Sequence, residues 1–182
     1  MARVVIIGGT GAELFTAPGA VTNPAVANRY GEPSAGFRCW EEAGHELMFL
    51  ARHGDTHGIP PHAVNYRANL AAIREQGADV VLGLNAVGGI ATRMIPGRLV
   101  IPHQFIDYSW GREHSFESTE GDSVQHVDVS SPFSSALRNH LVRAAQRLGY
   151  HFVAAGVYGV TQGPRLETPA EIDRMEQDGC DV

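Results

Sequence analysis

The feature that most constrains this chain is an uninterrupted apolar run that ends in glycines. Residues 4–7 are Val-Val-Ile-Ile, and Gly8-Gly9-Thr10-Gly11 follows directly. Four consecutive apolar residues without a charge predict a strand that is buried on both faces. Glycine allows a sharp turn whose N–H groups point at one spot, and the Thr10 hydroxyl adds a donor. The pattern predicts either an anion site, most often for phosphate, or a plain turn after a core strand.

The charged residues limit which chemistry is open to the chain. All 14 basic residues are arginine, which excludes a Schiff-base lysine and a Walker-type phosphate loop. A net charge of −6 without a basic cluster argues against nucleic acid as a partner. Neither a membrane-spanning apolar run nor a signal-peptide pattern is present, so we expect a cytoplasmic protein with no membrane contact. Cys39 and Cys180 fit no metal or redox spacing and predict unpaired thiols.

Apolar runs and helical periodicities alternate along the chain and predict an α/β fold, a mixed central β-sheet flanked by helices. The predicted strands are 4–7, 37–40, 46–51, 79–84 (buried), 99–101 and 150–160, and the predicted helices are 65–76, 131–148 and 169–178. Residues 103–125 show little periodicity and predict a functional or mobile loop. Residues 180–182 resemble the start of another strand. We therefore expect a single domain over 1–182 that is truncated at its C-terminus, with the C-terminal part of the fold missing.

Three of the predicted strands end in polar or glycine-rich loops, at residues 8–11, 52–54 and 85–89. Ligands in open α/β sheets sit at the carboxyl ends of the strands. Arg52 can hold an oxyanion through two parallel N–H···O bonds, and His53 can donate one more. A surface ion pair for Arg52 and a sheet-edge role for His53 are the alternatives. With the Thr10 loop, the three loops predict one anion site.

Five motifs occur in the order and spacing of a known family. They are Gly8–Gly11, Ala51–Gly54, Val64–Asn69, Asn85–Gly89 and Gln162–Thr168. Over nearly its whole length the chain resembles the trimeric purine nucleoside phosphorylases, and most of all their methylthioadenosine phosphorylase branch. That family splits a nucleoside with inorganic phosphate into a free purine and a ribose 1-phosphate. The resemblance implies a homotrimer that needs no cofactor or metal and uses phosphate as a co-substrate.

The resemblance also implies roles for individual residues. Phosphate would be bound by Thr10, Arg52, His53 and the backbone N–H of Ala86, with Asn85 beside it. Glu167, next to Leu166, matches the position that faces the purine base. His126 matches a position that reaches across the trimer interface to the 5′ group of the neighbouring subunit's substrate, and His57 is expected in a loop near the substrate's 5′ side. No residue is assigned as a nucleophile, because phosphate itself attacks C1′.

The residue at position 167 bears on which purine is bound. A 6-oxopurine carries a hydrogen on N1 that a carboxylate can accept, whereas adenine presents a bare acceptor there. Adenosine-preferring relatives carry a small hydroxyl residue at this position, and 6-oxopurine phosphorylases carry glutamate. We therefore expect a 5′-methylthio pocket combined with a hypoxanthine-type base site, acting on methylthioinosine. The alternative role for Glu167 is a carboxylate that stabilises a helix N-terminus.

Other functions stay open at this level. Methylthioadenosine or general purine nucleoside phosphorolysis is the nearest alternative, and a hydrolytic nucleosidase cleaves the same bond with water. A metal site at His53, His57 and His62 is disfavoured because Pro60-Pro61 interrupts any helix and no acidic ligand pattern accompanies them. A dinucleotide site is disfavoured because the first loop lacks the full Gly-x-Gly-x-x-Gly spacing. The non-enzyme alternative is an inactive fragment that lacks part of the family's sheet and site.

Overall fold

The computed structural model describes residues 1–12, 17–116 and 125–182. The chain divides into two compact units. The first comprises Met1–Ala86 and the segment that begins at Arg112, and the second comprises Val87–Gly111 and the C-terminal part of the chain, described from Gln125. A single domain over 1–182 stays a prediction. In the described ranges no helix is long and apolar enough to cross a membrane.

The first unit is built on a five-stranded mixed sheet. Its strands are β1 (Arg3–Gly8), β2 (Val21–Asn23), β3 (Phe37–Glu42), β4 (His45–Ala51) and β5 (Val80–Leu84), in the order β2-β3-β4-β1-β5. β1 runs parallel to both β4 and β5, and β3 is antiparallel to β2 and β4. Val5 is fully buried, as the apolar run at 4–7 predicts, and it shares one hydrophobic cluster with Phe49 and Ile73.

Local sequence signals explain the boundaries of this unit's elements. The β3–β4 hairpin turns through Ala43 and Gly44, both with positive φ (49° and 78°), which is the geometry that matches the twist of a two-residue hairpin. Helix α1 (Tyr66–Glu75) begins at Asn65, whose side chain accepts a hydrogen bond from the Ala68 N–H. It is followed by Gly77 in the left-handed conformation (φ 68°). The predicted strands at 37–40 and 46–51 and the predicted helix at 65–76 are confirmed.

The described residues of the second unit form four short strands and two helices. They are β6 (Leu99–Val100), β7 (Gln104–Asp107), α2 (Ser135–Arg147), β8 (Phe152–Val153), β9 (Val157–Val160) and α3 (Pro169–Gln177). β6 pairs with β8 and β7 pairs with β9, each in parallel. Both units combine helices with strands, and the sheet of the first unit is mixed, which confirms the α/β class. The predicted helix at 169–178 is confirmed as α3.

Three of the predicted strands differ from those in the structure. The run 150–160 is two strands with different partners, because the chain bends at Ala154 and the Gly156 carbonyl instead accepts a hydrogen bond from His103 N at 3.0 Å. β5 is not buried, since it is the outer strand of the first unit's sheet and leaves Val81 41% exposed. Residues 180–182 form no strand, although Asp181 N donates to Val157 O at 2.8 Å.

The remaining differences concern turns and caps. The predicted loop 103–125 contains β7, and its residues 117–124 lie outside the described part of the chain. Helix α2 starts at Ser135 rather than near residue 131, because the Ser134 hydroxyl is the cap that accepts from Leu137 N. β2 is not among the predicted strands, and it is held by pairing with β3.

Candidate active site

The candidate site lies where three neighbouring parallel strands end side by side. Gly8, the last residue of β1, is opposite Ala51 of β4 on one side and Leu84 of β5 on the other. The three loops that follow therefore leave the same edge of the sheet side by side. This is the carboxyl edge, where open α/β sheets bind ligands. The register thus brings together the loop segments that the sequence predicts as one anion site.

Arg52 spans these three loops. It follows β4, its backbone N–H donates to Gly8 O at 2.8 Å, and its Nη1 donates to Asn85 Oδ1 in the loop after β5. Between them its guanidinium lies against Gly9, since a Cβ built there would stand only 2.8 Å from Cζ. Gly9 is thus required for the close approach of the guanidinium to the first loop. The cation is held at the middle of the sheet edge.

Two histidines and a hydroxyl lie beside this arginine. His53 is buried, and its Nδ1 donates to Ile59 O at 2.8 Å, because a carbonyl can only accept. Its other ring nitrogen is therefore the one left for a ligand. His57 Nε2 lies 3.4 Å from Thr10 Oγ1, and the two imidazole rings have centroids 5.0 Å apart. His57 has a left-handed backbone (φ 57°), a conformation that concentrates at functional sites.

The loop after β5 completes the set. Asn85 and Ala86 are exposed, and in the described ranges the Ala86 N–H donates to no other group. A guanidinium, an imidazole, a hydroxyl and a backbone N–H at one sheet edge are suited to binding an oxyanion. His62 lies on a 3₁₀ turn, Pro61–Ala63, and is exposed. Among the described residues no group of three or more His, Cys, Asp or Glu could hold a metal ion.

The second unit carries a cavity of about 530 Å³ that includes Glu167. Glu167 belongs to the loop between β9 and α3 and forms no hydrogen bond or ion pair with any described residue. The helix N-terminus is served by another carboxylate. Thr168 and Glu171 form a reciprocal capping box, in which Thr168 Oγ1 accepts from Glu171 N and Glu171 Oε2 accepts from Thr168 N. Glu171, and not Glu167, is therefore the carboxylate that caps α3.

Arg165 binds the same carboxylate from the other side. Its Nη1 and Nη2 donate to Glu171 Oε2 and Oε1 at 2.8 and 2.6 Å, the bidentate geometry of guanidinium and carboxylate. The Arg165 side chain, together with the Thr168 N–H, lowers the pKa of Glu171 to about 2. Reciprocally, the Glu171 carboxylate raises the pKa of Arg165. Glu171 is a carboxylate over the whole physiological pH range.

The other predicted substrate residues are exposed. Leu166 is 86% exposed, and His126 is exposed in the segment before α2. Nearby, the Ser130 hydroxyl and N–H donate to Asp128, which lowers the pKa of that carboxyl. The contact of His126 with a neighbouring subunit stays a prediction.

Sequence reasoning missed Tyr108, Trp110 and Arg165, all of which line the cavity with Glu167. Tyr108 and Trp110 belong to the stretch predicted as a loop, where no periodicity singles out a residue. The Thr-x-x-Glu spacing from position 168 to 171 is a readable capping box. The partner Arg165 has no such signal, because a loop residue and a helix residue meet only in three dimensions.

Comparisons with known proteins identify the class that this fold and site define. Residues 3–182 match the model of the phosphorylase superfamily, and the chain belongs to that family. The probable S-methyl-5′-thioinosine phosphorylase of Xanthomonas campestris pv. campestris is 49% identical, over 98% of this chain and 72% of that protein. The S-methyl-5′-thioadenosine phosphorylase of Thermofilum pendens is 38% identical, over 99% and 68%.

A solved structure supports the same assignment. Methylthioadenosine phosphorylase from Schistosoma mansoni, in complex with tubercidin, superposes with a TM-score of 0.94 at 30% identity and covers 100% of this chain and 72% of that one. The predicted family and the nucleoside phosphorylase-like fold are confirmed.

Proposed function

We propose that this protein cleaves a 5′-methylthio purine nucleoside with inorganic phosphate. The favoured substrate is methylthioinosine, which gives hypoxanthine and 5-methylthioribose 1-phosphate. The main support for phosphate binding is that Gly8, Ala51 and Leu84, the last residues of three parallel strands, lie opposite one another. Thr10, Arg52 and Asn85 therefore belong to adjoining loops. Relatives named as S-methyl-5′-thioinosine phosphorylases, at 47–49% identity, support the nucleoside half.

The proposed chemistry needs positioning rather than a protein nucleophile. Breaking the bond between C1′ and the purine nitrogen creates positive charge on the ribose, as glycosyl transfer does in general. A phosphate dianion held at a fixed place stabilises that charge and then forms the new bond to C1′. Positioning of this kind supplies about 7–11 kcal/mol at best. The proposed holders are Arg52, His53, Thr10 and the N–H of Ala86, and no cofactor or metal enters the reaction.

Glu167 is the proposed determinant of the purine. Its carboxylate lines the cavity of the second unit and forms no hydrogen bond or ion pair with the described residues, although, like Glu171, it lies close enough to Arg165 to raise the pKa of that guanidinium. It is therefore available to accept the N1 hydrogen of a 6-oxopurine. Adenine would face it with a lone pair. A site built to make a hydrogen bond rejects an analogue that lacks it by up to about 10⁴–10⁵-fold. Leu166, His57 and, from a second subunit, His126 are proposed to contact the rest of the nucleoside.

The assembly and the compartment are also proposals. A homotrimer follows from the resemblance to the trimeric phosphorylases. Exposed apolar side chains at Val127 and Val129, on either side of Asp128, suit a segment that a neighbour covers. The two free thiols, Cys39 and Cys180, suit the reducing cytoplasm.

A substrate panel tests the function. The protein is supplied with phosphate and, in turn, methylthioinosine, methylthioadenosine and inosine, and the released base is quantified by chromatography. We expect the highest kcat/KM for methylthioinosine. Faster turnover of methylthioadenosine would overturn the assignment of the base and favour methylthioadenosine phosphorolysis. Equal release of base without phosphate would instead identify a nucleosidase.

A further inference from the structure

Glu167 lies between two residues whose backbones are both tied to one ion pair. Before it, the carbonyl of Leu166 accepts from Arg165 Nη1 at 3.1 Å. After it, the N–H of Thr168 donates to Glu171 Oε2 at 2.8 Å. Arg165 and Glu171 are in turn joined by two hydrogen bonds. Both peptide neighbours of Glu167 are therefore anchored through the same guanidinium–carboxylate pair.

We infer that Arg165 is a positioning residue that sets purine selectivity by holding, together with Glu171, the backbone on both sides of Glu167. This inference rests on the proposed function. Glu171 is held in place because it lies in the first turn of α3. Arg165 connects this carboxylate to the loop that contains Glu167. Among the described residues, Glu167 itself has no hydrogen bond or ion pair that would compete with the substrate.

The exposure of the pair supports a role in geometry rather than in stability. The side chains of Arg165 and Glu171 are 68% and 41% exposed. Ion pairs this exposed contribute little to the free energy of unfolding, because water screens them. A bidentate pair nevertheless fixes orientation, since the planar guanidinium meets the carboxylate in one arrangement. The low pKa of Glu171 keeps the pair charged across the working pH range.

A direct role is the rival explanation, because Arg165 also lines the cavity and could touch the substrate itself. The two explanations differ in how the partner behaves. If Arg165 acts through Glu171, then Glu171→Gln reproduces the effect of Arg165→Gln, and the double variant is no worse than either single one. If Arg165 binds the substrate directly, the two effects add.

The test is a double-mutant cycle on the ratio of kcat/KM for methylthioinosine to that for methylthioadenosine. Misplacement of a positioned group by about 1 Å costs on the order of 10²-fold, so we expect Arg165→Gln and Glu171→Gln each to lower the ratio about 10- to 100-fold. The decrease is expected mainly in kcat/KM for methylthioinosine. The ratios of the two single variants and of the double variant should agree within about threefold. Arg165→Lys, which keeps the charge but not the fork, restores only part of the ratio. Additive losses, or a ratio unchanged in both single variants, would overturn the inference.

Two further measurements separate this inference from the proposed function. Arg143→Gln, an exposed arginine on α2, is the matched control and should leave the ratio unchanged. Hydrogen exchange at the Thr168 amide needs no substrate and should speed up in both single variants, with a melting temperature that stays within a few degrees of wild type. Wild-type protein that cleaves no nucleoside with phosphate would overturn the proposed function alone. Unchanged exchange at Thr168 would overturn the positioning role alone.

Discussion

Replacing Gly9 with alanine tests whether Arg52 holds phosphate at the strand ends. The new Cβ would stand 2.8 Å from Arg52 Cζ and closer still to Nη2. Carbon atoms in contact are normally about 3.5–4.0 Å apart, so the guanidinium has to withdraw by roughly 1 Å. Gly9 does not have a left-handed backbone, so alanine carries no penalty from a positive φ there, and the three atoms nearest to the new Cβ all belong to Arg52. The perturbation is therefore a small displacement of one cation.

That displacement is large for a hydrogen bond. Charge-assisted N–H···O bonds need donor–acceptor distances of about 2.7–2.9 Å, and a 1 Å error at a positioned group costs on the order of 10²-fold. We expect kcat/KM for phosphate to fall about 10²-fold in Gly9→Ala, which is roughly 2.7 kcal/mol of transition-state stabilisation. The melting temperature should stay within a few degrees, because the displaced atoms are the end of a flexible side chain.

The assay measures initial rates at saturating nucleoside with varied phosphate. Gly83→Ala is the matched control: it makes the same chemical change in the same sheet, and its Cβ meets nothing within 4 Å. Gly83→Ala should keep wild-type kinetics. Phosphate kcat/KM within twofold of wild type in Gly9→Ala, or an equal loss in Gly83→Ala, would refute the reasoning.

Three further predictions follow from single contacts. Glu167→Ser should lower the preference for methylthioinosine over methylthioadenosine at least tenfold, measured by kcat/KM; an unchanged ratio would remove the residue from base selection. Asn65→Ala should cost about 1–2 kcal/mol in urea unfolding, because the side chain caps α1 and also donates to Tyr30 O at 2.7 Å; a loss below about 0.3 kcal/mol would contradict this. The pKa of Glu171 is lowered from 4.5 to about 2 in the folded protein. Its contribution to the free energy of unfolding is therefore complete above about pH 4.5 and is lost as the pH falls to 2. The difference in melting temperature between wild type and Glu171→Gln should be constant above pH 5 and vanish toward pH 2, and a difference that grows on acidification would contradict it.

The sequence predicts the first unit well, because its signals are local and unambiguous. An unbroken β-branched run marks β1, a two-residue turn with Gly44 marks the β3–β4 hairpin, and Asn65 and Gly77 bracket α1. The candidate phosphate residues follow from the same logic, since each comes directly after a strand. That these residues lie at one edge could be expected, because open α/β sheets bind ligands at the carboxyl ends of their strands. That the three strands end directly opposite one another could not be expected from the sequence.

The second unit was predicted less well for physical reasons. The apolar run 150–160 carries no charge or proline at the point where it bends, and only the pairing of β8 with β6 and of β9 with β7 reveals two strands. The exposure of β5 depends on which strand lies at the sheet edge, and periodicity does not report strand order. Glu167 could be identified from the chemistry of purine recognition. The different role of Glu171 could not, because it depends on an ion pair with Arg165, which joins a loop residue to a helix residue.

The side-by-side ends of the three parallel strands have a consequence for folding kinetics. The β3–β4 hairpin closes over two residues, but β1 has to find β4 with Val4 opposite Leu47, and β5 with Val4 opposite Val80. Such sequence-distant pairings require the entropy of long loops to be lost first, and they are therefore slow. Arg52, the Thr10 loop and Asn85 meet only after both have formed. The capacity to bind phosphate thus arises late, when the central strand has acquired its second neighbour, and an anion bound there would slow unfolding rather than speed folding.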